Sequence, residues 1–315
     1  MGSDSPDRSA FALMGLTVVL WGFSWVVMKQ LSHLIGPFDL VALRYAIGFV
    51  ALLVMLVASS QPLRCPPFWL TVGTALFQTT AFQCLAQFAL VTGGAGHVVM
   101  LSYTMPFWVL LFAWALLGER PAPAHMLGFM LAAAGLVCVI APWRGLGGIL
   151  SSLLALGGGA SWGFGVVLTK RLFLRHKVNV MTLTAWQMLL GALFTLPLAL
   201  LMPQMPPQWG AQLVLGLLYM GVLASAVGWG LWMMVVRRVS ASVAGMSALG
   251  VPVLTIILAW LLLSERPTAL DIGGAALMMA GLVVVTLAPG AARASSRAKN
   301  GLPAALRAIR AAVQA

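Results

Sequence analysis

Residues that could do covalent or acid–base chemistry are scarce: six Asp and Glu and four His among 315 residues. Asp39, Glu119, Glu265 and Asp271 fall at the ends of apolar stretches, and Asp4 and Asp7 precede the first. No carboxylate lies in the middle third of any stretch. Exchange of a proton for a cation inside a membrane usually rests on such an acid. A membrane-embedded enzyme would need His, Asp or Glu clustered at metal or acid–base spacing, and none is clustered. The expectation is a chain that is not an enzyme and holds no cofactor or metal. His97 is either a proton relay or an interfacial side chain satisfied by water and backbone.

Polar side chains at helical spacing are more informative. Thr79, Gln83 and Gln87 recur every four residues and share one helix face, flanked by Gln78 and Phe82. In lipid, buried amides must be hydrogen-bonded or face water. This face predicts either the polar wall of a cavity or interhelical hydrogen bonds worth about 1 kcal/mol each. Arg44, inside the second apolar stretch, would meet a substrate carboxylate near the outer mouth, snorkel, or pair with Asp39. Trp21 and Trp162 sit mid-stretch, where they could stack on a substrate, cap a cation, or pack in a glycine notch.

The elements that must position these residues read as membrane helices. The chain is 61% hydrophobic and 8% charged, against about 25% charged in soluble domains. Ten windows are long enough to span hydrocarbon: about 10–31, 38–58, 68–90, 95–117, 124–142, 148–170, 179–201, 209–235, 241–263 and 268–288. The predicted fold is an all-α membrane protein of ten transmembrane helices. The net charge of +12 follows topology rather than nucleic acid. With the N-terminus inside, fourteen Lys and Arg fall on inner segments and four on outer ones, a positive-inside bias that places both termini in the cytoplasm. Cys65, Cys84 and Cys138 form no metal, redox or disulfide pattern.

The sequence is also written twice. Residues 104–121, TMPFWVLLFAWALLGERP, reappear 146 positions later as GVPVLTIILAWLLLSERP, and Trp21-Gly22 reappears 141 positions later as Trp162-Gly163. A short cytoplasmic N-terminus (1–10) thus precedes a repeat at 11–142, a second at 148–289, and a basic cytoplasmic tail at 290–315. The tail is either a surface amphipathic helix or a disordered basic segment. Five spans per repeat is an odd number, so the second repeat is predicted to sit inverted, with a central cavity between the two. Pro106 and Pro252 each remove a backbone donor near mid-span, giving a moving hinge or a static kink. The copies differ where they approach that cavity. Ser102-Tyr103 stands against Ala248-Leu249, and the polar helix-3 face stands against Ser225, Trp229 and Met233. A molecule with one polar and one apolar end suits such an asymmetric site.

The Trp-Gly pairs, the repeated prolines and Glu119-Arg120-Pro121 with Glu265-Arg266-Pro267 resemble the EamA family of the drug/metabolite transporter superfamily, over about residues 11–289. The resemblance implies a multi-pass carrier of the bacterial inner membrane, with a cavity lined by helices 1, 3, 4, 6, 8 and 9. It implies export or exchange of a small metabolite by alternating access, an amino acid or related compound foremost. An organic-cation or drug exporter, or a channel, is the alternative. Ser102-Tyr103-Thr104-Met105-Pro106 shares its tyrosine and proline, but no asparagine or tryptophan, with the Asn-Tyr-Leu-Trp-Pro segment of aromatic amino-acid exporters. The partners implied are a small-molecule substrate and the lipid bilayer. Because of the duplication a monomer suffices, and a dimer is compatible.

Overall fold

The structure is a computed structural model and describes residues 8–92, 95–119, 121, 123–140, 148–263 and 268–287. The N-terminal residues 1–7, the tail 290–315, Arg120, Arg144 and Glu265-Arg266-Pro267 lie outside the described residues, as does the side chain of His97. Every regular element among the described residues is helical, and each of the ten apolar windows contains helix. Seven helices are long and apolar enough to cross a membrane; two shorter apolar ones lie at 125–140 and 269–285. Phe68–Thr92 is helical throughout, but its threonines and glutamines keep it out of those seven.

In chain order, α1 is Arg8–Leu31 and α2 is Pro37–Ala58. Pro37 opens α2 where its missing N–H costs nothing. Next, α3 (Phe68–Thr74) passes through a π-helical segment, Ala75–Ala81, into α4 (Phe82–Thr92). Then come α5 (Ala95–Ser102), α6 (Met105–Phe112) with a π turn at Ala113–Leu117, and α7 (Pro123–Ile140). In the second half, α8 (Ile149–Arg175) is followed by α9 (Val180–Leu201), whose start is capped by the Asn179 side chain accepting from the Met181 and Thr182 amides. Finally, α10 (Ala211–Leu218) runs through π-helical Tyr219–Val227 into α11 (Gly228–Arg238), then α12 (Ala241–Ser247), α13 (Gly250–Leu263) and α14 (Ala269–Leu287).

Several polar side chains are buried inside, and large apolar ones cover the outside. Gln78, Gln83, Gln87, Gln187 and Arg44 are buried, while Val54, Met130, Leu153 and Leu261 are more than half exposed. That is the pattern of a chain whose outer solvent is hydrocarbon. With so little apolar area to gain by association in lipid, close backbone packing carries the fold. At Gly22 an added Cβ would sit 2.9 Å from Leu254, and at Gly163 one would sit 2.8 Å from Trp108. These two glycines let α1 close on α13 and α8 close on α6.

The helices meet at two distinct ends. At one, the turn after α1 takes the Gln208 amide on Leu34 O (2.7 Å), and Ser151 at the start of α8 donates to Ala89 O of α4 (3.0 Å). At the other, Lys170 of α8 donates to Val236 O (3.0 Å) and Arg237 O (3.3 Å), the last carbonyls of α11. The Glu119 carboxylate accepts from the Ala241 amide (3.1 Å) and the Ser242 amide (3.3 Å), the first donors of α12. Glu119 reaches them because Gly118 adopts φ 70°, which ends the π turn in a left-handed residue. The α11–α12 turn is therefore held from both sides by opposite charges.

Candidate functional site

A cavity lies between mid-molecule and the first of those ends. Its lining is Trp21, Ser24, Trp25, Met28, Arg44, Phe82, Gln83, Tyr103, Trp162 and Trp229. Ser24, Trp25 and Met28 lie three, four and seven positions after Trp21, one stripe of α1 that the sequence reading missed although its helical spacing was visible.

Aromatic rings form the floor. Trp21 meets Trp162 edge-on at 5.7 Å and Trp229 at 5.1 Å, and Phe82 stacks on Trp162 at 4.6 Å. Trp232 closes beneath them, 5.7 Å from Trp21 and fully buried. The Trp21 indole donates to Ala224 O (3.0 Å) and the Trp25 indole donates to Tyr103 Oη (3.1 Å). About 30 Å³ remains open to water centres, room for about two waters. A larger occupant must part the rings.

Arg44 brings the charge. It is 5% exposed and its Nε donates to Ser225 Oγ at 3.0 Å. Neither snorkelling nor pairing with Asp39 describes it. The long α2 places Arg44 facing Ser225 on the adjacent π-helical segment. Among the described residues no carboxylate pairs with Arg44. The described acids are all elsewhere: Glu119 on α12, Asp271 on Thr268, and Asp39 at the start of α2. No group of described residues has the make-up of a metal site.

Other expected lining residues are placed differently. Gln78 accepts from Thr169 (2.8 Å) and Gln187 (3.2 Å), and Thr79 donates to Ala75 O, so both serve the contact with α8 and α9. Gln83 and Phe82 face the cavity, while Gln78 and Thr79 face α8 and α9. Gln87 sits one turn beyond Gln83 and donates to Met28 Sδ (2.6 Å). Ser102 bonds back to Val98 O (2.8 Å) under α8. Ser225 acts through Arg44, and Met233 is buried outside the lining.

The prolines are also corrected in detail. Each sits just after a turn inside its span. The chain breaks at Tyr103-Thr104, and Pro106 occupies the first turn of α6. It breaks again at Ala248-Leu249, two residues before α13 reaches Pro252. A proline in a first helical turn loses no intrahelical bond. The first break turns the Tyr103 ring into the cavity.

The chain is a multi-pass helical membrane protein whose internal cavity, among the described residues, is aromatic and singly charged. The sequence profile described as the EamA-like transporter family matches residues 8–141 and again 149–287, so this chain belongs to that family. It is 27% identical to the "Uncharacterized transporter YoaV" of Bacillus subtilis, over 85% of this chain and 93% of that one. It is 28% identical to a "Probable amino-acid metabolite efflux pump" of Escherichia coli, over 88% and 95%. A solved crystal structure aligns at a TM-score of 0.75 with 23% identity, covering 89% of this chain and 96% of that one, which shows the shared fold. The chain is a membrane transporter and not an enzyme.

Proposed function

We propose that the protein is a secondary carrier that exports or exchanges a small amphipathic metabolite, an amino acid or related compound, by alternating access. The observation that carries this reading is the pairing of one buried arginine with an aromatic floor in an internal cavity. The guanidinium suits a carboxylate head, and the rings and Met28 suit an apolar body. The aromatic walls alone would also suit an organic cation, but Arg44 repels one.

In this reading ten spans form two inverted repeats, with both termini in the cytoplasm of a bacterial inner membrane. Reciprocal contacts support the repeat. Gly22 with Leu254 and Gly163 with Trp108 are the same pair under the 141- and 146-residue offsets. The cavity then faces outward, and the end closed by Lys170 and Glu119 faces inward, where Arg171, Arg175, Arg237 and Arg238 also gather. The breaks before Pro106 and Pro252 serve as hinges, and releasing the α11–α12 turn opens the inner end. The sequence repeats both clamping residues, as Lys29 and Glu265. One chain holds both halves of the site, so a monomer suffices.

Counterflow in proteoliposomes tests the reading. Internal unlabelled substrate should accelerate uptake of labelled substrate several-fold. Steady conductance without trans-stimulation would instead make the protein a channel.

A further inference from the structure

The charge balance of the cavity narrows the cargo. We infer that it is an organic monoanion, a carboxylate on an aryl or alkyl body without a free ammonium group, and that its passage carries net charge across the membrane. This rests on the carrier reading above.

Among the described residues Arg44 is the single charged side chain in the lining, and its burial to 5% exposure makes it costly without an anionic partner. Ser225 Oγ supplies one neutral acceptor at 3.0 Å, which leaves the rest of the planar fork for a bidentate carboxylate. An ammonium group arriving with that carboxylate would find no acid. It would meet the Gln83 amide, the Tyr103 hydroxyl and indole faces, beside a fixed positive charge. Cation–π attraction is weaker than the penalty for burying an ammonium unpaired in an arginine's field. The same carbon body without the ammonium avoids that penalty.

The consequence is a driving force. When the carrier returns empty, Arg44 crosses no net distance over the full cycle, so the charge moved per cycle is that of the cargo. A monoanion leaves an inside-negative cell downhill in potential, by a ratio of about 50-fold per 100 mV at equilibrium. No coupling proton is needed, which accords with a cavity that holds no acid. A zwitterion receives no such drive.

The test uses three probes with one body and different heads: 3-phenylpropionate, phenylalanine and phenethylamine. Binding to the purified full chain is read by quenching of tryptophan fluorescence and by thermal shift. Flux is read in proteoliposomes under a potassium–valinomycin potential, with protein-free vesicles subtracted. The expected result is 3-phenylpropionate binding at least about tenfold more tightly than phenylalanine, with phenethylamine weakest. An interior-negative potential should accelerate protein-dependent efflux of 3-phenylpropionate. Arg44→Lys should keep the order of the three heads, and Arg44→Gln should erase it. Phenylalanine binding as well as 3-phenylpropionate, efflux indifferent to potential, or no probe bound would each overturn the monoanion assignment. The head-group comparison on the unaltered chain decides this even if Arg44→Gln does not fold. Counterflow seen with phenylalanine would leave the carrier reading standing, whereas conductance without counterflow would remove both.

Discussion

Gln78 and Gln83, five residues apart on one helical segment, show how little residue type says about role. Gln83 lines the cavity. Gln78 is fully buried and holds Thr169 and Gln187. Their substitutions should therefore fail differently. Gln78→Ala leaves two donors without their acceptor inside the protein, a cost of about 1–3 kcal/mol, and should lower the melting temperature while the surviving protein binds normally. Gln83→Ala should leave the melting temperature of the empty protein within a degree or two and weaken substrate binding about tenfold, for a loss of about 1.4 kcal/mol. Thermal melts and fluorescence titrations on both variants check this. Equal loss of stability in the two would place Gln83 in the scaffold as well. The glutamine-rich face was legible in the sequence as a candidate site. Which glutamine faced the cavity was not, because the answer depends on which helices pack against each face, α8 and α9 in the case of Gln78.

Among the elements, the α11–α12 turn is the place where opposite charges meet backbone ends. Lys170 neutralises carbonyls at the negative end of α11, and Glu119 neutralises amides at the positive end of α12. The Ser240 side chain adds a bond to the Val243 amide (3.3 Å). Glu119→Gln keeps the shape but loses the charge assistance, about 1 kcal/mol. Amides 241–243 should then exchange with deuterium roughly fivefold faster, while those of α2 and α9 stay unchanged. Uniform acceleration across the chain would mean global destabilisation and no local role for the cap. The Glu-Arg-Pro segment reads in the sequence as a boundary between helices, which the first copy is. That its carboxylate reaches across to the start of a helix 122 positions later is a tertiary fact, since no local pattern links Glu119 to Ala241.

For the whole molecule, the positive-inside bias makes a prediction that the helical packing does not contain. Reporter tags at the two termini should both read as cytoplasmic. Tags on opposite sides would remove the ten-span arrangement and the inversion drawn from it. The two-fold family match accords with a duplicated chain, and the buried glutamines with large exposed apolar side chains accord with lipid as solvent.

By itself the sequence determined the class of protein, because composition sets the solvent, and window length against bilayer thickness sets helix and span. It also exposed the duplication, since Ala-Trp-x-Leu-Leu-x-Glu-Arg-Pro is a one-dimensional signal. It marked Trp21, Trp162, Trp229, Phe82, Gln83, Tyr103 and Arg44 as candidates, all of which come together around one cavity. Only the tertiary structure decided which candidates stay outside it: Gln78, Thr79, Gln87, Ser102 and Ser225. It alone brought in Ser24, Trp25 and Met28, and it alone showed Arg44 resting on Ser225, 181 positions away, with no acid opposite among the described residues. Periodicity specifies a helix face relative to its own axis. The neighbour that face meets is set by how glycine notches, π segments and helix breaks pack the other helices around it.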